Sequence, residues 1–261
     1  MEEGDLTMVK NNDFWENLAQ KTTKKAISSN DPNLDMLERE FIKKYLKKNM
    51  TVLDVGSGDG LASMEFAPKV KKIVGIEPAP SVVKIAQENQ KKAKVKNVEW
   101  IQGSALEIGK LFFDQKYDCI ISKRCLVNIL SWPEQKKALG LISEALTKGG
   151  WFLLAEGFTD GLKNLNRIRK DNGLKTDKVV DFNLYFEREK FESEIKKDFQ
   201  IVEKNNFGLY YFLSHFFYPY MIAPLEPKYR SKINQMAAKL SLKEKLMEEY
   251  GYISFYALKK K

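Results

Sequence analysis

The sequence is poor in the residues from which metal sites and disulfide frameworks are built. It contains two cysteines, Cys119 and Cys125, and a single histidine, His215. Cys119 falls in a segment that resembles a buried strand and Cys125 lies just beyond it, so neither a disulfide framework nor a zinc site is indicated. No pattern of histidines or clustered carboxylates argues for a metal. We therefore predict no bound metal and, by default, a cytoplasmic protein.

Long apolar runs and arginine clusters are also missing. No apolar run reaches the length of a membrane span, and the acidic, polar N-terminus does not resemble a signal peptide, so no membrane insertion is expected. The net charge of +9 comes mainly from lysine scattered along the chain. Nucleic-acid surfaces more often combine arginine, lysine and stacking aromatics on one face. The charge therefore favours a lysine-rich surface over a nucleic-acid partner, with attraction of an anionic small substrate left open.

The most informative segment is 51–60, in which an apolar strand runs into Asp54 and then into Gly56, Gly58 and Gly60. A helical pattern begins directly after the last glycine. A strand, a tight glycine-rich turn and a helix start let the backbone approach a nucleotide-like ligand closely. The segment therefore predicts a cofactor site at the end of the first strand.

The second strand, 72–76, is followed by Glu77, whose carboxylate is well placed to accept hydrogen bonds from both ribose hydroxyls of a nucleotide-like cofactor. The third glycine of a dinucleotide-binding G-x-G-x-x-G would fall at Leu61, so that interpretation fits less well. The acid, the G-x-G-x-G spacing and Glu77 resemble the first motif of the class I S-adenosylmethionine-dependent methyltransferases. The resemblance implies S-adenosylmethionine as cofactor.

Strands and helices alternate through the middle of the chain. Strands are predicted at 51–55, 72–76, 97–101, 117–122 and 151–155, with helices at 61–69, 81–93 and 134–147. This order predicts an α/β fold with a doubly wound, mostly parallel sheet. An antiparallel pair at 200–203 and 252–258 would complete the seven-stranded, Rossmann-like sheet of the methyltransferases. Right-handed crossovers place the ligand along the edge where the parallel strands end.

We expect a single domain over residues 1–261. It would comprise an N-terminal helical cap (1–49), a cofactor-binding core (50–156) and two substrate-covering insertions (157–196 and 205–250) over the ligand edge. The second insertion is dense in aromatic residues. That density fits a substrate lid, ordinary core, or a homodimer contact.

The residues expected to hold the cofactor lie mainly after the first four strands. Ser104 stands where most members of this class carry an acid for the adenine amino group, and it also fits a helix N-cap paired with Glu107. Arg39, in a helix predicted at 35–48, is a candidate for binding the carboxylate of the methionine tail, with a surface salt bridge as the alternative. The complete predicted set is Arg39, Asp54, Gly56, Ser57, Gly58, Gly60, Glu77, Pro78, Gly103, Ser104, Ala105, Leu106 and Lys123.

Three later segments resemble one branch of the class. They are S-K-R-C-L-V-N at 122–128, E-G-F-T-D-G-L at 156–162 and N-L-Y-F at 183–186. Similar segments occur in small-molecule methyltransferases encoded with bacterial surface-polysaccharide synthesis, and the resemblance spans about residues 10–261. It implies a sugar or nucleotide sugar as partner. The expected substrate contacts are Arg124, Asn128, Glu156, Asn183 and Tyr185. Relatives often carry a histidine where this chain has Phe182, which excludes a base from that position.

The nature of the acceptor decides whether a base is needed. A sugar hydroxyl benefits from a general base, whereas an amine need only be neutral. His215, in the aromatic insertion, and Glu156, at the end of the fifth strand, are the candidate bases, with a packed structural histidine as the alternative for His215. The leading hypothesis is O-methylation of a sugar in capsule or other surface-polysaccharide biosynthesis. An N-methyltransferase of a small amine, an RNA methyltransferase and a non-catalytic cofactor-binding subunit are the alternatives.

Overall fold

A seven-stranded sheet with the strand order β3–β2–β1–β4–β5–β7–β6 forms the centre of the molecule. The computed structural model describes residues 14–21, 30–222 and 229–261. The strands are β1 (Thr51–Val55), β2 (Lys72–Glu77), β3 (Val98–Gln102), β4 (Tyr117–Lys123), β5 (Leu146–Gly157), β6 (Phe199–Asn205) and β7 (Ile253–Lys260). Strands β1 to β5 are parallel, and β7 is antiparallel to both β5 and β6. The predicted mostly parallel, seven-stranded sheet is confirmed.

Helices cover both faces of this sheet. Residues 14–21 are helical (α1), and the further helices are α2 (Pro32–Lys43), α3 (Leu61–Phe66), α4 (Pro80–Ala93), α5 (Ile108–Leu111), α6 (Trp132–Ala145), α7 (Thr159–Asp171), α8 (Arg188–Ile195), α9 (Gly208–Tyr211), α10 (Tyr218–Met221) and α11 (Lys232–Ser241). Alternate strand residues enter two separate apolar clusters, with Val52 in one and Leu53 in the other. Burial on both faces is what a parallel sheet requires. Among the described helices, none is long and apolar enough to cross a bilayer.

The fifth strand is longer than the sequence predicts. Leu146 pairs with Tyr117 of β4, and the register then shifts before Trp151 pairs with Cys119. The irregular residues between the two pairs include Gly149, whose φ of 69° lies in the left-handed region that glycine adopts without strain. The predicted strand at 151–155 is therefore the regular part of β5, and helix α6 ends before it at Ala145.

The insertion at 205–250 packs into the core in its described part. Tyr210 and Tyr211 are fully buried in the same apolar cluster as Phe41 and Phe255. The Tyr210 hydroxyl lies 2.8 Å from each carboxylate oxygen of Asp31, at the start of α2. Helix α11 packs on α2 and α9. In its described residues, this insertion supplies core packing and none of the cavity lining described below. Its expected role as a substrate cover stays a prediction.

Candidate functional site

A cavity of about 300 Å³ lies at the edge where the parallel strands end. Every residue predicted to hold the cofactor lines this cavity except Gly60, and three of the predicted substrate residues, Arg124, Asn128 and Asn183, line it as well. Two others, Glu156 and Tyr185, do not line it, and nor does His215. Parallel α/β sheets bind ligands at this edge because the loops that follow the strands converge there.

The glycine turn forms the floor of the cavity. Gly56, Gly58 and Gly60 have φ angles of 70°, 55° and 76°, all in the left-handed region. The amides of Gly56 and Ser57 donate to the carbonyl oxygen of Ile76, at 2.9 Å and 3.0 Å, which fixes the turn against β2. A Cβ on Gly56 would overlap the side chain of Cys125. Glycine is needed at this position for both conformation and space.

Gly60 has a different role from the one predicted. It does not line the cavity, and a Cβ there would lie 2.6 Å from the ring of Trp100. Its missing side chain makes room for that indole, which also packs against Gly75 in β2. The third glycine of the motif therefore supports packing behind the turn, while the first two lie in the cavity wall.

Glu77 is held at the cavity wall by backbone amides. Its two carboxylate oxygens accept hydrogen bonds from Gly58 and Ala79, each at 3.2 Å. The side chain is only 8% exposed, and burial raises its pKa to about 7, with the nearby carboxylates of Asp54 and Asp59 adding to the rise. A ribose diol donating to this carboxylate would favour its charged form.

Binding of the expected cofactor should therefore weaken as the pH falls below about 7. Ribose hydroxyls hydrogen-bond the charged carboxylate, so below the raised pKa of Glu77 binding must include loss of a proton. The affinity should drop by up to about tenfold per pH unit. Calorimetric titrations between about pH 6 and pH 8 measure this slope. A Glu77→Gln variant is the control, and an identical slope in that variant would contradict the assignment.

Ser57 and Ser104 provide polar groups that fit a nucleoside. The Oγ atom of Ser57 is buried in the cavity wall without a hydrogen-bond partner among the described residues. Ser104 begins the turn Ala105–Glu107, where its amide donates to Oε2 of Glu107 at 2.9 Å. The N-cap role is therefore present, and Ser104 also lines the cavity. An unpaired buried hydroxyl is costly unless a ligand or water satisfies it, which supports a polar ligand here.

Arg39 lines the cavity in an ion-paired setting. Its guanidinium contacts Asp35 one helical turn away and lies 2.6 Å from Oε2 of Glu65. Its Nε atom is buried without a partner among the described residues. Both roles considered from the sequence are thus compatible with its position, since an ion-paired arginine that lines a cavity can still donate to a ligand carboxylate.

Two basic residues at the end of β4 pair with buried acids of α2. Nζ of Lys123 lies 3.0 Å from Oε2 of Glu38 and 3.3 Å from Oδ1 of Asp35. Nε of Arg124 lies 3.0 Å from Oε1 of Glu38, which is completely buried. Burial alone would raise the pKa of Asp35, but Lys123 and Arg39 hold it below its ordinary value. This wall of the cavity is a neutralised network, and Asp35 is a weak base within it.

Glu156 does not line the cavity but holds in place a loop that does. Its carboxylate is fully buried and accepts hydrogen bonds from the amides of Cys125, Leu126 and Val127, at 2.9 Å, 2.9 Å and 3.3 Å. The Ser122 hydroxyl donates to it at 2.8 Å. Desolvation raises its pKa to about 7. The predicted roles as base and substrate ligand do not match this position, because the carboxylate is already occupied by the loop that it anchors.

His215 lies in a buried aromatic cluster within the π-helix Phe212–Phe217. The hydroxyl of Ser214 donates to the Tyr210 carbonyl at 2.6 Å and lies 2.7 Å from Nδ1 of His215, an arrangement that assigns the ring proton to Nδ1. Burial lowers the pKa of the imidazole to about 3, so the ring is neutral. It packs 5.0 Å from the ring of Tyr211. The structure places this predicted base in the core, in the structural role considered as its alternative.

Tyr185 also packs behind the cavity instead of lining it. Its ring lies against Gly157 at the end of β5, where a Cβ would come within 2.5 Å of the ring. It stacks on Tyr252 with ring centroids 6.2 Å apart. Burial raises its pKa to about 12. The glycine at 157 in the E-G-F segment therefore makes room for this aromatic ring.

The mouth of the cavity is formed by three segments that are far apart in sequence. Nε1 of Trp15, in α1, donates to Oδ1 of Asn128 at 3.1 Å, and Nδ2 of Asn128 donates to Oδ1 of Asn183 at 2.6 Å. Phe14 stacks on Phe182 with ring centroids 4.2 Å apart. Trp15 and Phe182 both line the cavity. We call Trp15, Asn128, Phe182 and Asn183 the acceptor mouth.

Sequence reasoning missed several cavity residues. They are Trp15, Asp35, Asp59, Ala62, Val82, Cys125, Ile129, Val180 and Phe182. Phe182 lines the cavity with an aromatic ring, whereas the sequence indicates only that this position supplies no base. The hydrogen bond between Trp15 and Asn128 joins residues 113 positions apart, and no local pattern predicts it.

Comparison with known proteins agrees with this geometry. Residues 46–206 match the model of a methyltransferase domain family. The chain is 25% identical over 142 residues to the uncharacterized methyltransferase YcgJ of Bacillus subtilis, covering 52% of this chain and 54% of YcgJ. It is 39% identical over 147 residues to the ribosomal protein L11 methyltransferase of Dictyoglomus thermophilum, covering 51% of this chain and 45% of that protein. The chain spans about half the length of these curated relatives.

The fold extends over nearly the whole chain in solved structures. The N-methyltransferase NodS of Bradyrhizobium japonicum, crystallised with S-adenosyl-L-homocysteine, superposes with a TM-score of 0.59 at 10% identity, over 96% of this chain and 97% of NodS. The glycine turn, Glu77 and the cavity are where a nucleoside-containing cofactor would lie on this fold. The chain belongs to the methyltransferase domain family.

Proposed function

We propose that this enzyme methylates a small, neutral, polar acceptor held at the acceptor mouth. S-adenosylmethionine supplies an electrophilic methyl group on a sulfonium, so catalysis depends mainly on alignment of the acceptor. In this proposal the glycine turn, Glu77 and Ser104 hold the nucleoside, and Arg39 holds the methionine carboxylate. The mouth then orients the acceptor through one indole, one phenyl ring and two carboxamides. This combination of aromatic and uncharged polar groups is the observation that carries the proposal.

An amine nitrogen is the acceptor atom that the geometry favours. Neither candidate base, His215 or Glu156, lines the cavity. Four acids line it. Asp35 is ion-paired and Glu77 accepts two backbone amides. Asp54 accepts the hydroxyl of Ser63, and Asp59 accepts the amide of Leu61. A neutral amine attacks without prior loss of a proton, whereas a hydroxyl gains from a base in contact with it. The N-methyltransferase alternative is therefore better supported than O-methylation.

A sugar hydroxyl is the second candidate, and the composition of the mouth supports it. Apolar faces of sugar rings pack on aromatic side chains, and hydroxyls hydrogen-bond to carboxamides such as those of Asn128 and Asn183. The resemblance to methyltransferases of surface-polysaccharide synthesis favours the same acceptor class. An amino sugar would satisfy both lines of argument, since it presents an amine on a sugar ring.

Paired acceptors test the proposal directly. Nucleotide sugars that differ only by an amino group or a hydroxyl at one position are incubated with S-adenosylmethionine carrying a labelled methyl group, and the products are resolved by mass. We expect transfer to the amino compound and little to its hydroxyl partner. Transfer to the hydroxyl compound alone would identify a sugar hydroxyl, and not an amine, as the acceptor group. Transfer to neither compound would reject nucleotide sugars as the acceptor class.

Replacing His215 with asparagine should leave turnover within about threefold of the wild type. The asparagine amide can keep the hydrogen bond to Ser214, so the core is preserved. A general base in contact with the acceptor contributes roughly 10²–10⁴-fold to the rate. Steady-state kcat with the preferred acceptor measures the effect, and cofactor affinity serves as the check on folding. A loss of kcat in that range with normal cofactor binding would restore His215 as the base.

A further inference from the structure

Fourteen of the lysines that look scattered in the sequence are brought by the topology to one edge of the sheet. This edge, opposite the cavity, contains the beginnings of β1 to β6 and the end of β7; we call it the amino edge. Its lysines are Lys47, Lys48, Lys69, Lys71, Lys72, Lys94, Lys96, Lys116, Lys148, Lys196, Lys197, Lys259, Lys260 and Lys261. The acids at this edge are fewer, namely Glu99, Asp114, Asp118, Glu144, Glu194 and Asp198.

The opposite edge carries charges of both signs. The turns next to the cavity contain Glu107, Glu134, Asp160, Glu248 and Glu249. The same edge also carries Lys123, Arg124 and Arg188, which pair with Glu38 and Asp160. The excess of basic over acidic residues is therefore found at the amino edge, where it would attract an anionic partner.

Several amino-edge lysines point their charge at solvent. Lys48, Lys71, Lys94, Lys96 and Lys148 are exposed and form no ion pair with the described residues. Seven strands about 4.8 Å apart make a row roughly 29 Å long. The described arginines lie elsewhere. Lysine heads on flexible stems suit a diffuse anionic surface, whereas arginine is the residue that recognises individual phosphates by paired hydrogen bonds.

One large apolar side chain stands in the middle of this row. Phe113 precedes the central strand β4, next to Lys116, and is 81% exposed. An aromatic ring held out beside basic residues is the arrangement by which peripheral proteins enter the interfacial region of an anionic bilayer. Single-stranded nucleic acid instead occupies a basic groove with several stacking rings. Among residues 14–21, 30–222 and 229–261, the amino edge is a row of strand ends with a single strongly exposed aromatic ring.

We propose that the amino edge binds the surface of an anionic phospholipid bilayer. The lysines supply long-range attraction that decays over a Debye length, and Phe113 enters the headgroup region. The cavity then faces away from the bilayer, so the acceptor reaches it from solution. This inference stands apart from the identity of the acceptor.

Sedimentation with vesicles tests the proposal. The protein is mixed with vesicles of phosphatidylcholine alone or with about a third phosphatidylglycerol, and we expect binding only to the anionic vesicles, lost at about 0.5 M salt. The triple variant Lys48→Glu, Lys71→Glu, Lys96→Glu should bind at least about tenfold more weakly. Phe113→Ser should weaken binding several-fold. The matched control changes the charge equally at exposed lysines off this edge, by Lys163→Glu, Lys170→Glu and Lys239→Glu.

The outcomes distinguish an effect of the amino-edge lysines from an effect of the protein's net charge. Retention of vesicle binding in the control triple, with loss in the edge triple, supports the proposal. Equal loss of vesicle binding in both triple variants would show that only net charge matters, and would overturn the proposal. Absence of vesicle binding, or binding of a short RNA that the edge triple loses while vesicles are ignored, would also overturn it. Unchanged cofactor affinity in the edge triple shows that the variant is folded, since its substitutions lie far from the cavity.

Discussion

Replacing Glu77 with alanine is expected to weaken binding of S-adenosylmethionine by roughly 1.5–3 kcal/mol, a factor of about 10–150. The carboxylate is 8% exposed and already oriented by the amides of Gly58 and Ala79. A ribose diol therefore meets a preorganised acceptor whose charge is poorly solvated without the ligand. Removing it takes away charge-assisted hydrogen bonds and loosens the glycine turn, since the Gly58 amide loses its partner.

Calorimetric titration with S-adenosylmethionine and with its demethylated product measures this loss. Glu88→Ala on the exposed face of α4 is the matched control and should bind both compounds as the wild type does. Unchanged affinity in a folded Glu77→Ala protein would remove Glu77 from the cofactor site. It would leave the methyltransferase fold intact and require another residue to bind the ribose.

Replacing Gly208 with alanine should destabilise the protein by about 2–4 kcal/mol. A Cβ at this position would overlap the backbone carbonyl of Met247, which cannot rotate away as a side chain could. The same stretch of backbone is confined again where Gly251 contacts Gly161 and Asn206. Three close backbone approaches thus hold the segment before β7, and relief of one clash must disturb the others.

Gly140 in helix α6 provides the opposite control. A Cβ there would meet nothing within 4 Å, so Gly140→Ala should stabilise the protein by about 0.5–1 kcal/mol through the higher helix propensity of alanine. Urea unfolding followed by circular dichroism measures both changes. Equal midpoints for Gly208→Ala and the wild type would show that the segment at Met247 can move aside.

The parts of the site that follow from local chemistry were predictable. The glycine turn needs left-handed backbone at alternate positions, and the residue that ends β2 reaches the same edge through any right-handed crossover. Neighbouring residues in the chain carry that information. Gly60 shows the limit of the motif, because its conformation was predictable while its contact with Trp100, 40 positions away, was not.

The acceptor side depends on contacts that no local pattern encodes. His215 stands in an aromatic segment that fits a lid or core, and only its packing against Tyr211 and Tyr252 places it inside. Glu156 lies near the end of a strand at the ligand edge, but its carboxylate already accepts hydrogen bonds from the amides of residues 125–127. The lysines of the amino edge look scattered in the sequence because each group precedes a different strand.

The hydrogen bonds of Glu156 divide the cavity into a fixed part and an adaptable part. In the fixed part, one desolvated carboxylate holds the loop at 125–127 against the central sheet. This part of the cavity can therefore change only together with the core. The half formed by Trp15 and the residues around Phe182 is held by ring stacking and carboxamides at the surface. We expect substitutions there to change which acceptors fit the cavity, while the loop held by Glu156 keeps its position. Changes in substrate specificity should therefore concentrate in the half around Phe182.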